Sequence, residues 1–368
     1  MGGRTADYTV YGYKLCISLT IVQKLTTLSV WSLCALLYEI MRRDFFLLTA
    51  ARVWVRIWGC ATSFAKYMQN LFFTFESLSS ENRILKVLNK QVLKKAEEAL
   101  RLYFPASQLV YGYVCRINRV DVDPTDVLVD QWPNFRVLLV KPRQQQLSCS
   151  FYIQDPDLIK HVCIFTKDKS CLMNILTRTD VLDWKKDMIL SVDQQHEAMI
   201  KAVAANKSVP INRTVVGHLM RLQDPSKLKV ERSSFQVSSV KESHAALINS
   251  KWEMGTGERT EPLIRNMIRK FPSCCVLDSE GRPVSWLLTY PSCEMGVMHT
   301  LPEHRQKGYA KALVTILAKK LHSDGYPVYC SIKLENQPSY RLFTSLGFTR
   351  DLPYRNAWLY FNQASMPP

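Results

Sequence analysis

The sequence lacks the cysteine spacing of a disulfide-stabilised or zinc-binding protein. It has 11 cysteines in 368 residues, an odd number, and they are scattered apart from one adjacent pair, Cys274-Cys275. Small secreted domains repeat cysteines as a framework, and zinc sites place them in closely spaced pairs. We therefore expect reduced thiols inside a cell and no metal site.

Uninterrupted apolar stretches are also short. The stretch from Leu25 to Tyr38 is 14 residues long, whereas a bilayer-spanning helix needs about 20 apolar residues. Arg52 and Arg56 interrupt the next candidate, residues 45–59. The sequence therefore predicts no membrane-spanning helix.

Acidic residues are rare in the first part of the chain. Up to Phe75 there are three, Asp7, Glu39 and Asp44, against eight lysines and arginines. Residues 1–80 fit three interpretations that the sequence leaves open: an organelle-targeting presequence, a weak membrane anchor, or a gene-model extension without a folded role. We assign no function to this segment.

Dense basic runs with interleaved aromatic residues, which are typical of nucleic-acid-binding proteins, are absent as well. The formal net charge is +16, but the lysines and arginines are spread along the chain. Their one cluster, residues 86–95, is typical of the polar face of a helix. We therefore expect no nucleic-acid partner and interpret the positive charge as suited to a smaller anionic ligand.

Hydrophobic periodicity predicts an α/β protein with a mixed sheet and two domains after the N-terminal segment, residues 81–228 and 229–368. In the first domain we predict a helix at residues 81–104, strand-like runs at 110–118, 126–142 and 150–156, and a helical stretch at 181–207. A polar connection follows at 206–234. From residue 235 to about 362, the pattern predicts the order β-α-α-β-β-β-α-β-α-β.

Residues 294–310 combine a strand, a loop and a helix start. Gly296 to Leu301 is a short apolar strand, Pro302 opens a turn, and the following loop leads into an amphipathic helix. The first N–H groups of a helix have no partner within it and bind anions, phosphates above all. The alternative is a capped helix with solvated charges. The residues that we assign to phosphate binding are Arg305, Gln306, Lys307, Gly308, Tyr309 and Ala310.

The spacing R-x-x-G-x-A in this loop resembles the pyrophosphate loop of the GNAT acyltransferases. Residues 336–348 resemble a second signature of that superfamily, in which an Asn lies beside the pantetheine arm of coenzyme A and a Tyr beside its thiol. Here the Asn is Asn336, and Phe343 stands in the Tyr position. The resemblance implies a GNAT fold in the C-terminal half and acyl-CoA as co-substrate, with no permanently bound cofactor. It also implies that the pantetheine amides pair with the backbone of Met298, His299 and Thr300.

Residues 102–118 and 128–142 resemble the N-terminal half of the glycine N-acyltransferases, and the likeness extends over roughly residues 82–365. It implies an acyl-CoA-dependent N-acyltransferase acting on glycine or a related amino acid such as glutamine. The N-terminal domain would be a structural partner, interpreted as a degenerate GNAT-like copy. The family also implies a mitochondrial location, with the cytoplasm as the alternative, and we expect a monomer. Trp132 would be a buried aromatic residue at a strand end.

The implied reaction needs a base, because a free amino acid is almost entirely ammonium near neutral pH. Glu294, eleven residues before Arg305, is the candidate, since histone-acetylating GNAT enzymes have a catalytic Glu at this spacing. Burial would raise its carboxyl pKa above the reference value of about 4.3. Alternatively, Glu294 is a strand-end charge that faces solvent.

Other residues compete for chemical roles. His299 is a rival base, but regular strand alternation puts it on the face opposite to Glu294. Cys293 and Cys330 are candidate nucleophiles, although neither has an adjacent His in sequence. Phe343 cannot protonate the leaving thiolate, so solvent or Tyr340 would have to do so.

The oxyanion of the intermediate needs a donor, for which we expect a free backbone N–H such as that of Met298. Two other functions remain open: acetylation of a protein or polyamine amine, and binding of acyl-CoA without catalysis.

Overall fold

The structure is a computed structural model that describes residues 85–120, 123–143, 161–229, 235–255 and 260–362. By its internal contacts the chain divides into two units, Met1–Asn82 and Arg83–Pro368, and all the described residues belong to the second. The predictions for residues 1–80 and for a strand at 150–156 therefore lie outside the described residues.

The strands and helices follow one another along the chain in a mixed order. The strands are β1 (Lys86–Val87), β2 (Thr125–Val129), β3 (Val137–Pro142), β4 (His161–Thr166), β5 (Met188–Asp193), β6 (Ile211–Arg221), β7 (Val237–Ser238), β8 (Cys274–Leu277), β9 (Pro283–Thr289), β10 (Met295–Thr300), β11 (Tyr329–Lys333), β12 (Thr349–Arg350) and β13 (Asn356–Phe361). The helices are α1 (Lys90–Arg101), α2 (Gln108–Arg119), α3 (Lys169–Arg178), α4 (Glu197–Asn206), α5 (Ala245–Lys251), α6 (Glu261–Lys270), α7 (Tyr309–Ser323) and α8 (Gln337–Ser345).

Nine of these strands form one sheet in the order β1-β2-β3-β4-β5-β13-β6-β11, with β12 also paired to β6. Strands β4 and β5 are parallel, and the other described pairs are antiparallel. Strands from the two predicted domains alternate at one end of the sheet, because β13 lies between β5 and β6, and β6 lies between β13 and β11. The predicted boundary at 228/229 therefore separates strands that share one sheet.

A second sheet has four strands in the order β10-β9-β8-β7. Its edge strand β10 lies next to β11, the edge strand of the larger sheet, but the two belong to different sheets. Two neighbouring strands that do not pair leave a crevice between them. Such a crevice lies between β10 and β11.

The apolar cores lie on both faces of the two sheets. Helices α3 and α4 pack on one face of the large sheet, and α1 and α2 pack on the other. Helices α7 and α8 pack in a core with β8, β9 and β11, while α5 and α6 cover Trp286 from the other side. Both faces of each sheet are covered, which is the layered arrangement of α/β proteins.

The prediction of a strand at residues 110–118 was wrong, because these residues lie in α2. Every residue of α2 from Gln108 to Ile117 is buried. A helix that is buried all round lacks an exposed polar stripe, so its short sequence pattern is easily taken for that of a buried strand.

Three other boundaries differ from the prediction. The first helix begins after Asn89, whose side chain accepts a hydrogen bond from Val92 N, and Lys86–Val87 is a strand. Met188–Asp193, predicted as helical, is β5. The polar connection at 206–234 contains β6, an 11-residue strand. Sheet pairing on both sides of β5 and β6 overrides the weak local pattern of these segments.

The predicted mixed α/β fold is confirmed, and the order of elements from β7 to β13 follows the predicted GNAT pattern. Helix α7 buries Leu313, Leu317 and Leu321 as expected. Thr315 of the same helix is also buried. Trp132 is half-buried and stacks on Phe135. Within the described residues, no helix is both long and apolar enough to cross a bilayer.

Candidate active site

A cavity of about 1190 Å³ opens where β10 and β11 diverge. It is lined by residues from both halves of the chain, so neither half encloses it alone. Five of the residues that the sequence predicted for the site line it: Glu294, Met298, His299, Asn336 and Phe343. Thr300 and the predicted phosphate loop do not line this cavity.

Glu294 lies at the end of a tight turn that directly precedes β10. Tyr290 N donates to Glu294 O, and Cys293 N donates to Tyr290 O, both at 2.8 Å. Cys293 adopts a positive φ of 62°. The carboxyl-bearing residue is only 7% exposed, so the interpretation of Glu294 as a solvent-facing charge was wrong.

Burial raises the pKa of the Glu294 carboxyl from 4.5 to about 7, because a charged carboxylate loses its hydration in this site. The neighbouring Ser331 lowers the pKa in part, although its own buried hydroxyl completes no well-formed hydrogen bond. A carboxyl group with a pKa near 7 takes up and releases protons at neutral pH, as a general base must.

Helix α2 supports the turn that carries Glu294. The thiol of Cys293 donates to Gly112 O at 3.2 Å, and the Tyr329 hydroxyl donates to Ser292 O at 2.5 Å. A Cβ atom at position 112 would lie 1.8 Å from Ser292 O. Only glycine allows the helix backbone to approach the turn this closely. The N-terminal half thereby fixes the position of the buried carboxyl.

A β-bulge interrupts β10 after its second residue. Gly296 is opposite Leu288 and His299 is opposite Trp286, so three steps on one strand match two on the other. Val297, inside the bulge, has a positive φ of 53°. The bulge leaves Val297 and Met298 without ladder partners. The predicted oxyanion donor, Met298, lies in this bulge.

The bulge also shifts the side-chain alternation. His299 stacks on Trp286 with ring centroids 5.2 Å apart and lines the same cavity as Glu294. The expected alternation assumed a regular strand, which the bulge interrupts. Burial lowers the pKa of the His299 imidazole, and the Arg305 and Lys251 charges lower it further.

The predicted phosphate loop forms an open helix N-terminus. Gly308 precedes α7 with φ of 80° and has no side-chain cap. The first helical hydrogen bond runs from Ala312 N to Gly308 O at 3.1 Å, so the preceding Tyr309 and Ala310 amides have no intrahelical acceptor. A Cβ atom at position 308 would have nothing within 4 Å.

The side chains of this loop leave that helix start accessible. Arg305, Gln306 and Lys307 are exposed, while Tyr309 and Ala310 are half-buried. Arg305 Nε donates to Thr300 O at 3.2 Å, which ties the loop to the end of β10. The Thr300 hydroxyl lies 2.7 Å from that of Ser285.

Asn336 and Phe343 lie at the two ends of α8. Asn336 caps the helix, because its Oδ1 accepts from Ser339 N at 3.1 Å. Phe343 is buried and packs edge-on against Phe348 at 5.0 Å. Tyr340, the suggested proton source, packs against His218 with the two rings tilted and their centroids 5.6 Å apart, and it does not line the cavity.

The two candidate cysteine nucleophiles are unsuited to that role. Cys293 and Cys330 are both buried, and burial raises the pKa of each thiol well above its ordinary value. A protonated thiol is a poor nucleophile. In the described part of the chain, no three His, Cys, Asp or Glu side chains are grouped to bind a metal ion.

Two cavity residues from the N-terminal half were missed. The Tyr113 hydroxyl lies 3.0 Å from His161 Nδ1, and His161 Nε2 lies 2.5 Å from the Ser191 hydroxyl. Burial lowers the pKa of His161 to about 4. Tyr113 escaped notice because residues 110–118 were predicted as a strand. No sequence signal connects either residue with Glu294.

A charged group on the other side of the cavity was also missed. Glu253 Oε1 accepts from Lys333 Nζ and lies 3.1 Å from Arg213 NH2. Glu253 and Lys333 line the cavity. They are 80 residues apart in sequence, so only the fold reveals the pair.

Comparison with known proteins supports the interpretation from the site. A family model described as aralkyl acyl-CoA:amino acid N-acyltransferase matches residues 84–272, and the model of its C-terminal region matches residues 274–362. Glycine N-acyltransferase from Bos taurus is 30% identical over 292 residues, covering 74% of this chain and 96% of that protein. The Homo sapiens glycine N-acyltransferase is 29% identical over 300 residues, covering 76% and 98%.

A solved structure shares the fold. The crystal structure of a Drosophila protein covers 75% of this chain and 98% of its own, with a TM-score of 0.62 and 18% sequence identity. The family models supply the functional class that such a distant structural likeness does not. The chain belongs to the aralkyl acyl-CoA:amino acid N-acyltransferase family and is an acyltransferase of that class.

Proposed function

We propose that the chain transfers an acyl group from acyl-CoA to the amino group of glycine, or of a related amino acid such as glutamine, with Glu294 as general base. The products are an N-acyl amino acid and free coenzyme A. The observation that carries this proposal is the buried carboxyl of Glu294. It lies beside the crevice between β10 and β11, and its pKa is raised to about 7. The relatives named glycine N-acyltransferase support glycine as the acceptor.

In the proposed reaction, the acceptor ammonium first releases one proton to solvent, and the resulting amine attacks the thioester carbon while Glu294 takes a second proton from its nitrogen. The new N–C bond forms, the C–S bond breaks, and the thiolate leaves with the electron pair of that bond. Solvent then protonates the thiolate, which is a tolerable leaving group because a thiol has a pKa of about 8.5. Phe343 therefore does not prevent turnover, although it has no proton to give.

The co-substrate is proposed to lie along β10 and at the start of α7. The loop of Arg305, Gln306, Lys307, Gly308, Tyr309 and Ala310 would hold the pyrophosphate. Its open helix start and exposed cationic side chains support this role. Backbone groups of Met298, His299 and Thr300 would pair with the pantetheine amides. Asn336 and Phe343, which both line the cavity, would lie beside the pantetheine and the thiol.

The test is thiol release from benzoyl-, phenylacetyl- and fatty acyl-CoA, measured with glycine and then with glutamine. We expect release with at least one pair, and we expect Glu294→Gln to lose about 1 to 3 kcal/mol of transition-state stabilisation near pH 7.5. For the wild type, kcat should rise with pH through about 7. Absence of release with every pair would favour an acyl-CoA-binding protein without catalysis, and unchanged turnover in Glu294→Gln would remove that residue from the mechanism.

A further inference from the structure

We propose that Lys333 binds the carboxylate of the amino acid acceptor, and that Glu253 occupies this position until the acceptor displaces it. The proposal rests on the function proposed above and specifies how the site distinguishes an amino acid from other amines. It assigns a carboxylate-binding subsite to the wall of the cavity formed by β11.

The acceptor needs a cation in this cavity. A free amino acid enters with a carboxylate as well as an ammonium group, and Glu294 is itself a buried carboxyl. Placing a second anion in a partly dehydrated cavity is costly unless a positive group compensates it. An amino acid acyltransferase with this base therefore requires a positive side chain within reach of the attacking amine.

Lys333 has the right position on the strand. It follows Ser331 by two residues on β11, so both side chains lie on the same face, about 6.6 Å apart along the strand. Ser331 is the neighbour of the Glu294 carboxyl. In an α-amino acid, one carbon separates the amino and carboxyl groups. An amine beside Glu294 thus keeps its carboxylate close by, and the flexible Lys333 side chain on the same face of β11 is proposed to meet it.

Lys333 is also the lysine best shielded from solvent among those that line the cavity. Its side chain is 21% exposed, whereas that of Lys186 is 65% exposed and pairs with Asp183. Lys185 and Lys251 are exposed as well. A shielded ammonium group binds a carboxylate more strongly than one in bulk water, because the surrounding dielectric is lower.

Glu253 shows that the position accepts a carboxylate. Its Oε1 contacts Lys333 Nζ, and its side chain is 64% exposed. Because the Glu253 side chain lies mostly in solvent, water hydrates its carboxylate when it leaves Lys333, so exchange for a substrate carboxylate costs little. After exchange, Glu253 keeps its contact with Arg213, 3.1 Å away, and the cavity gains no unpaired charge.

The experiment compares glycine with glycinamide, which has the same amine but no carboxylate, at a fixed acyl-CoA. We expect Lys333→Met to raise the KM for glycine by at least about tenfold, the loss typical of a hydrogen bond between charged groups. Turnover of glycinamide and the KM for acyl-CoA should stay within about twofold of the wild type. Lys333→Arg should restore part of the glycine affinity, and Glu253→Gln should lower the KM for glycine.

The matched control is Lys186→Met, which removes an exposed lysine from the same cavity and should change neither acceptor's kinetics. An equal loss with glycine and glycinamide in Lys333→Met, or no loss with glycine, would overturn the carboxylate subsite alone. Thiol release by the wild type with neither acceptor, nor with glutamine, would overturn the proposed function and the subsite together.

Discussion

Replacing Glu294 by Gln should stabilise the protein at alkaline pH while it slows the reaction. The carboxyl is 7% exposed and has its pKa raised from 4.5 to about 7 by burial. Between these two pH values the folded chain keeps the proton, whereas the unfolded chain has released it. The unfolded state then binds fewer protons, so the free energy of unfolding falls as pH rises.

The size of the effect follows from the two pKa values. For each pH unit between 4.5 and about 7, the free energy of unfolding of the wild type falls by about 1.4 kcal/mol. The total loss above pH 7 is therefore about 3 kcal/mol. A glutamine does not titrate, so the variant avoids this loss. The difference in unfolding free energy between Glu294→Gln and wild type should therefore be smallest near pH 4.5, grow up to about pH 7 and then remain constant.

Urea unfolding of both proteins at pH 5, 6, 7 and 8 measures this difference. The test is how this difference changes with pH, because the pH-independent effect of exchanging a carboxyl for an amide is the same at every pH. Glu280→Gln, at a side chain 67% exposed, is the control for the substitution itself. A difference that does not change with pH would show that Glu294 ionises in the folded protein as it does in the unfolded chain, and would refute the argument from burial.

Three further predictions concern the support of the site, the phosphate loop and a buried imidazole. Gly112→Ala should destabilise the protein by about 1 to 3 kcal/mol and lower kcat, because the added Cβ would collide with Ser292 O and displace the turn before Glu294. Urea unfolding measures the stability and thiol release measures kcat. An unchanged kcat would contradict the prediction. Gly308→Ala should raise the KM for acyl-CoA and cost about 1 kcal/mol of stability. The control Gly281→Ala, with a similar φ and an equally open surrounding, should cost about as much stability with no change in KM. Equal KM values in the two variants would argue against phosphate binding by the loop. His161→Gln should gain up to about 3 kcal/mol of stability relative to the wild type as pH falls from 6.5 to about 4. In this range the unfolded wild type binds a proton at His161, whereas the folded state keeps the imidazole neutral. A difference in urea unfolding that does not change with pH would refute this.

The sequence allowed the local parts of the site to be predicted. The loop before α7 and the Asn that caps α8 depend on residues close together in the chain, and their spacing alone indicates a helix start. The order of elements from β7 to β13 follows from periodicity and turn residues for the same reason. The position of Glu294 before β10 was also expected, but its burial depends on α2, a helix that the sequence suggested as a strand.

The remaining features depend on contacts between distant residues. The bulge in β10 shifts His299 to the cavity, and it arises where β10 pairs with β9 rather than from any single residue type. The Tyr113, His161 and Ser191 group joins α2, β4 and β5 of the N-terminal half, and the Lys333 and Glu253 pair spans 80 residues. Such contacts are consequences of the completed fold, and propensity or periodicity cannot reveal them.

The alternation of β5, β13, β6 and β11 has a consequence for how the chain can be divided. A fragment ending near residue 229 would keep β5 and β6 but lose β13 between them, and the complementary fragment would hold β13 and β11 but lose β6 between them. Each fragment would expose strand edges along that gap, and such edges promote aggregation. The two pieces should therefore recover a soluble enzyme only when they are co-expressed and reassemble, a property that suits the chain to use as a split reporter.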